Sequence, residues 1–186
     1  SLLKMMAMGG EGTPLESLKA LRIVPLAISY EYDPCDFLKA KEFQQKRDDA
    51  AFKKSRQDDL DNMQTGIMGY KGHIHYEAAP CINTWIDELA DLPKAQFFTA
   101  LAQRMDREIH RRYRLYPTNC IAADLLDGDG TFADRYTRED REAFEHYVAQ
   151  RVALIDLPNK DEDYLRERIL TMYANPARNQ RRALEA

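Results

Sequence analysis

The run Ile23-Val24-Pro25-Leu26-Ala27-Ile28-Ser29-Tyr30, followed at once by Glu31-Tyr32-Asp33-Pro34, decides how the fold is read. No charge and no polar alternation interrupt it before Ser29, which is the pattern of a strand buried on both faces, as in the interior of a parallel sheet. Ile23, Val24, Leu26 and Ile28 are therefore expected to be buried, each stabilising by roughly 1.5–3 kcal/mol. Only one other segment, about 72–79, reads as a strand. The expectation is an α/β fragment, predominantly helical, with an interior strand at about 22–30, a second strand at about 72–79 and amphipathic helices around them. Most of the sheet is expected to lie outside these residues.

Working outward, a short helix is predicted at 2–8, ended by Gly9-Gly10 because glycine accepts the left-handed C-terminal position. Thr13-Pro14 opens another at 14–21. Asp33-Pro34-Cys35-Asp36 offers an N-cap, a first-turn proline and an acidic residue at the positive helix end. The charged stretch after it is read as one long helix to about 65, or as two with a break near Asp48-Asp49. Helices are predicted at 83–90 and at 93–114, the latter from Phe97, Phe98, Leu101, Met105, Ile109 and Tyr113 at spacings of three and four. Residues 115–136 read as a loop or short helix. Thr137 with Asp140, and Asn159 with Glu162, predict capped starts of two further helices, the second at 160–174. The division expected is 1–82, the end of an α/β domain, and 83–186, a helical region.

Of the 186 residues, 44% are hydrophobic and 31% charged, with a formal charge of -4. That composition excludes disorder and gives no reason to expect nucleic acid as a partner. Cys35, Cys81 and Cys120 are widely spaced and odd in number, so they define neither a disulfide framework nor a metal-ligand pattern. No uncharged run approaches the ~20 residues that span a bilayer, and no signal peptide is read. A cytoplasmic location is expected, with peripheral contact on the inner face of the cell membrane left open.

Residues 23–34 resemble the fourth conserved block of the glycerophosphate acyltransferase superfamily, whose members acylate glycerol 3-phosphate or lysophosphatidate. The continuation Ser29-Tyr30-Glu31-Tyr32-Asp33-Pro34-Cys35-Asp36 is similar to a bacterial subgroup. So are Gly69-Tyr70-Lys71-Gly72, Leu115-Tyr116-Pro117, Ile155 to Glu162 and Met172-Tyr173-Ala174-Asn175-Pro176. The resemblance covers nearly the whole chain. It implies transfer of an acyl chain from a thioester donor, acyl-CoA or acyl carrier protein, to a glycerophosphate hydroxyl in phospholipid synthesis. The step would be base-assisted attack on the thioester, with no cofactor implied.

The superfamily's catalytic signature is a His and an Asp with four residues between them, and this chain lacks it. Five positions after His73, His75, His110 and His146 stand Ala78, Pro80, Leu115 and Arg151. Glu11-Gly12-Thr13-Pro14 is similar to the phosphate-associated Glu-Gly-Thr-Arg block but has Pro14 where the cation belongs. Ser1 to Met8 resembles the helix that follows the true block. The chain is expected to begin downstream of the catalytic half, to carry no catalytic residue and to be inactive alone, while its full-length parent is an acyltransferase. The alternative is a non-catalytic helical module that docks a partner protein.

The candidate substrate-cleft residues are Pro25, Glu31 and Asp33, at the end of the apolar strand, where open α/β sheets place ligands. Asp33 also reads as a helix cap and Glu31 as a surface residue. Arg107, Arg111, Arg112 and Arg114 form a basic sector with Arg104 and His110. Such a sector suits anionic lipid or phosphate, or the negative end of its own helix. His73 and His75 share a strand face, but no third ligand is identified and no metal site is assigned. Asp127-Gly128-Asp129-Gly130 imitates a calcium loop, with Leu125 and Tyr136 at two ligand positions, and reads as a glycine-rich turn.

Overall fold

Pro25 O accepts a hydrogen bond from Ala79 N–H, and Glu31 N–H donates to His73 O, at 2.8 and 3.0 Å. These bonds pair strand β1 (Leu26–Tyr30) with β2 (Ile74–Ala78) as a two-stranded antiparallel sheet. The computed structural model describes residues 2–10 and 12–185. Ser1 and Glu11, which belong to two of the motifs above, lie outside the described residues.

The remaining elements are helical, in the order α1 (Leu2–Met8), α2 (Pro14–Leu21), α3 (Asp36–Asp48), α4 (Arg56–Met68), α5 (Lys94–Arg111), α6 (Pro117–Asp127), α7 (Arg138–Ala153) and α8 (Glu162–Glu185). The predominantly helical α/β composition expected of the sequence is thus found. Among the described residues no helix is long and apolar enough to cross a membrane.

The parallel, doubly buried strand is not found. The register places Leu26 opposite Ala78 and Ile28 opposite Tyr76, on a face where Leu26, Ile28 and Tyr76 are 45%, 38% and 57% exposed. Val24 is exposed as well, Ile23 is half-buried, and the residues inside are Pro25, Ala27 and Ser29. An unbroken apolar run does not say which of its two faces is covered, because successive side chains alternate across the strand.

Two compact units share the chain, and neither is a continuous segment. One takes residues 2–28, 75–113 and 180–185, and the other 29–74 and 114–179, so the boundary expected between 82 and 83 falls inside the first. The first unit packs Leu18, Ile82, Trp85, Ile86, Phe97, Phe98 and Leu101 together. The second centres on Ile121, Phe144, Val148, Leu165, Ile169 and Tyr173, from α6, α7 and α8.

Several local expectations are corrected. The helix expected at 83–90 is two short 3-10 turns, Ile82–Thr84 and Ile86–Leu89. The long charged stretch is two helices, and Asp49 ends the first with its side chain accepting Ala51 N–H. Residues 117–127 form a helix of which Thr118 to Asp124 are all buried. A helix covered on every side lacks the polar face that marks amphipathicity. Pro117 at its start and left-handed Gly128 at its end are its only sequence signals. Asp161, rather than Asn159, receives the N–H of Tyr164 at the start of α8. That helix runs through Pro176 to Glu185, where Ala177 and Ala183 are buried; packing offsets a proline cost of roughly 3 kcal/mol.

Candidate functional site

The run Ser29 to Asp36 leaves β1 and enters α3 through bonds that reach distant parts of its unit. Ser29 Oγ accepts Arg114 N–H at 2.9 Å, and Glu31 O accepts from Thr118 Oγ1 at 2.9 Å. Gly72 turns the chain opposite with φ of 62°. A Cβ there would stand 2.4 Å from Glu31 Oε2, so glycine serves both the left-handed backbone and the space for that carboxylate. Into that space Glu31 Oε2 accepts His73 N–H at 2.9 Å and meets His73 Nδ1 at 2.6 Å.

Asp33 does not cap α3 as an N-cap residue, a position held by Cys35. It caps one turn earlier in effect: its Oδ1 accepts Cys35 N–H at 2.9 Å, while Oδ2 pairs with Lys39. The side chain that organises this corner is Asp36, which is fully buried. Its carboxyl accepts from Phe37 N–H at 2.6 Å, Arg151 Nε at 2.6 Å, the Tyr147 hydroxyl at 2.7 Å and the Tyr173 hydroxyl at 3.0 Å. The Tyr173 hydroxyl in turn accepts Asp33 N–H at 2.9 Å, and Arg151 donates to Pro34 O at 2.6 Å. Burial, and then the charge of Asp36, push the phenols of Tyr147 and Tyr173 well above their ordinary range, so both stay neutral donors.

This network binds parts of the fold together and leaves no open position for chemistry. Three elements, the α3 start, α7 and α8, are joined through one carboxyl whose donors are all engaged. Cys35 is equally committed: its thiol is buried, lies 3.4 Å from Asn62 O and is raised in pKa, chiefly by burial.

Two cavities flank the corner. One of about 480 Å³ is lined by Asp33, Lys39, Glu42, Phe43, Lys46, Met172 and Asn175. The other, about 490 Å³, shares Asp33, Lys39 and Glu42 and adds Tyr30, Cys35, Lys54, Asn62, Gly66 and Lys71 among its walls. Of the expected cleft residues, Asp33 lines both. Pro25 is buried with its carbonyl in the strand ladder, and Glu31 is engaged by His73.

The basic sector is largely committed to its own chain. Arg112 meets Glu108 at 2.5 Å and Glu77 at 3.9 Å; Arg111 donates to Ala183 O at 2.7 Å. Arg104 pairs with Glu88 and lies over the Trp85 ring. Arg114, in the other unit, faces the Tyr116 ring at 6.0 Å, and Arg107 is half-buried on α5. Among the described residues no group of three or more His, Cys, Asp or Glu side chains is placed to hold a metal ion. His75 pairs with Glu77 at 3.4 Å. In the calcium-like turn, Asp127 is engaged by Arg178, and Asp124 accepts Phe132 N–H.

Sequence reasoning misses two things here. The Asp36–Tyr147–Tyr173–Arg151 network joins residues 111 to 137 positions apart, with no local signal. The Glu31–His73 pair is a histidine oriented by a carboxylate from the opposite strand, its ring 84% exposed against 20% for Glu31. A search for acids along the chain from each histidine cannot find it. No family model, curated protein or solved structure matches this chain.

Proposed function

We propose that the chain is the C-terminal part of an acyltransferase that moves an acyl group from a thioester donor to a glycerophosphate hydroxyl in phospholipid synthesis. The resemblance of residues 23–36 and of the later segments motivates this reading. The observation that carries it is the outward face of the strand pair, where Val24, Leu26, Ile28 and Tyr76 are exposed and no charged side chain interrupts them. Small residues inward and large apolar residues outward suit a strand pair whose second layer is supplied by the catalytic half of the domain. Asp33 lines both cavities together with Lys39 and Glu42, so of the expected cleft residues it is the one this reading keeps near a substrate headgroup.

The chemistry would then rest on a His-x4-Asp pair outside these residues, acting as base on the acceptor hydroxyl. The test reads the gene upstream of Ser1 and then assays thioester release with glycerol 3-phosphate and lysophosphatidate. Transfer by the longer product and none by the 186-residue chain is the expected result. In the longer product Asp33→Ala should reduce activity or stability more than His73→Ala. Transfer by the 186 residues alone would point instead to the Glu31–His73 pair, and a start codon directly before Ser1 would favour the interaction module.

A further inference from the structure

Strand β2 is the open side of the strand pair. Ile74, Tyr76, Glu77 and Ala78 are exposed and His75 is half-buried, whereas β1 buries Ala27 and Ser29. The bonds from Ala79 N–H to Pro25 O and from Glu31 N–H to His73 O fit one unbroken register. Bonded and non-bonded positions alternate along an antiparallel pair. Tyr76, opposite Ile28, and Ala78, opposite Leu26, therefore turn their N–H and C=O away from β1, and Ile74 does the same. Among the described residues no third strand and no loop backbone takes up these groups. The segment Ile74-His75-Tyr76-Glu77-Ala78 also has no proline, lysine or bulge, the devices that guard a free edge. Only another extended backbone matches a row of donors and acceptors at this spacing, so the occupant of the edge is a strand.

We infer that this strand is β2 of a second copy, and that two chains join edge to edge into a four-stranded antiparallel sheet. The segment is complementary to itself. Laid antiparallel about a twofold axis at Tyr76, Ile74 faces the partner's Ala78, a large side chain against a small one. His75 faces the partner's Glu77, an imidazole against a carboxylate, and the symmetry makes that pair twice. Tyr76 faces its own copy. Sliding one strand by two residues sets His75 against His75 in one direction and Glu77 against Glu77 in the other, and shortens the ladder, so the charges select the central register. In the single chain Glu77 is 48% exposed and held loosely, by His75 at 3.4 Å and Arg112 at 3.9 Å. Its carboxylate is thus available to a facing strand. The apolar face of Leu26, Ile28 and Tyr76 runs on into the second copy and stays open to a further layer, so the pairing does not depend on the acyltransferase reading. An edge of five residues buries little area, and the dimer is accordingly weak and exchanging.

The experiment is sedimentation velocity of the 186-residue chain from roughly 10 μM to 1 mM, the range in which a small contact dissociates. A monomer that converts to a dimer with concentration is expected. Tyr76→Pro removes one outward N–H and leaves the bonds to β1, so it should keep its helical circular dichroism and stay monomeric throughout. Tyr76→Ala keeps that N–H and should still dimerise. Glu77→Lys should weaken the dimer about fivefold, and His75→Glu/Glu77→His, which restores the pair with its ends exchanged, should recover it. Oxidation should cross-link Tyr76→Cys/Cys81→Ser at least about tenfold faster than Met63→Cys/Cys81→Ser, because bonded partners in an antiparallel pair stand about 5.5 Å apart between Cα atoms, within disulfide reach. Met63 is equally exposed but lies on α4, away from the edge. A monomer across the whole range, a dimer undiminished by Tyr76→Pro, or equal cross-linking at the two positions each overturns the proposal. If Tyr76→Pro loses its fold, the charge exchange decides: a double variant that dimerises no better than Glu77→Lys overturns it as well.

Discussion

In the core built by α6, α7 and α8, size follows burial: Phe144, Ile121, Leu165, Ile169 and Leu170 are inside, and most charged residues of α7 and α8, Arg151 excepted, are toward the outside. In β1 and α4 the order is inverted. Ala27, Ser29, Asn62 and Gly66 face inward or toward a polar cavity, while Leu26, Ile28, Met63 and Ile67 face out. The first arrangement stabilises the fold by removing apolar area from water, at about 25 cal/mol per Å². The second forgoes that stabilisation. Isolated exposed aliphatics are normal on a surface, but stripes of them on elements whose inward residues are small or polar mark interfaces.

The contrast has a direct consequence for stability. Phe144→Ala should cost about 3–5 kcal/mol through lost burial and a residual cavity, whereas Ile67→Ala should stay within about 0.5 kcal/mol. Urea unfolding of both measures the difference, and comparable losses would mean that α4 is packed into the core after all.

Asp36→Asn sharpens the conventional side of the comparison. It keeps the volume but replaces an ionised acceptor by an amide beside Arg151 and two tyrosines. A loss of about 1.5–3 kcal/mol is expected for charge-assisted hydrogen bonds in a buried site. A neutral result in the same unfolding assay would show that the network positions the α3 start without stabilising it.

Gly72 and Gly128 share a left-handed backbone, with φ of 62° and 70°. Only Gly72 has side chains, those of Glu31 and Tyr32, in the space a Cβ would take; at Gly128 nothing stands within 4 Å. Alanine should therefore cost roughly 1–2 kcal/mol at Gly128, and more at Gly72. In the Gly72 variant His73 should also lose its Glu31 contact, seen as a shift of its ring resonances by NMR. Equal costs would mean that the Glu31 side chain moves aside freely.

An effect confined to alkaline pH is expected from Cys120, whose thiol burial raises to a pKa of about 11 from an ordinary 9.0. Because the folded pKa lies above the unfolded one, the contribution is complete below pH 9.0 and is lost as pH rises toward about 11. Cys120→Ala should flatten the alkaline limb of stability against pH. Thiol reagents should label the partly exposed Cys81 in the folded chain and reach the buried Cys35 and Cys120 only on unfolding.

Helix starts and ends were legible where the chain supplies its own partners. Thr13 with Glu16 and Thr137 with Asp140 form the capping boxes that their three-residue spacing implies. Helix α5 follows its amphipathic period, with Phe97, Phe98 and Leu101 buried. Legibility fails where burial is uniform or one-sided by circumstance. Helix α6 is covered all round, so it has no period to read. The candidate site divides in the same way: Asp33 is marked by its place between strand and helix, but Asp36, one helical turn on, is distinguished only by three partners from α7 and α8.

By itself, then, the sequence determined the helical character of the chain, most of its caps and the position of its two strands, because these follow from φ/ψ preferences and from contacts within a few residues. Only the tertiary structure decided that β1 pairs antiparallel with β2, that Glu31 orients His73 and that Asp36 gathers Tyr147, Tyr173 and Arg151. It also decided which apolar face is buried and which is left to solvent. A side chain's environment is set by what the rest of the chain brings to it, and a run of aliphatic residues has the same sequence whether that neighbour is present or absent.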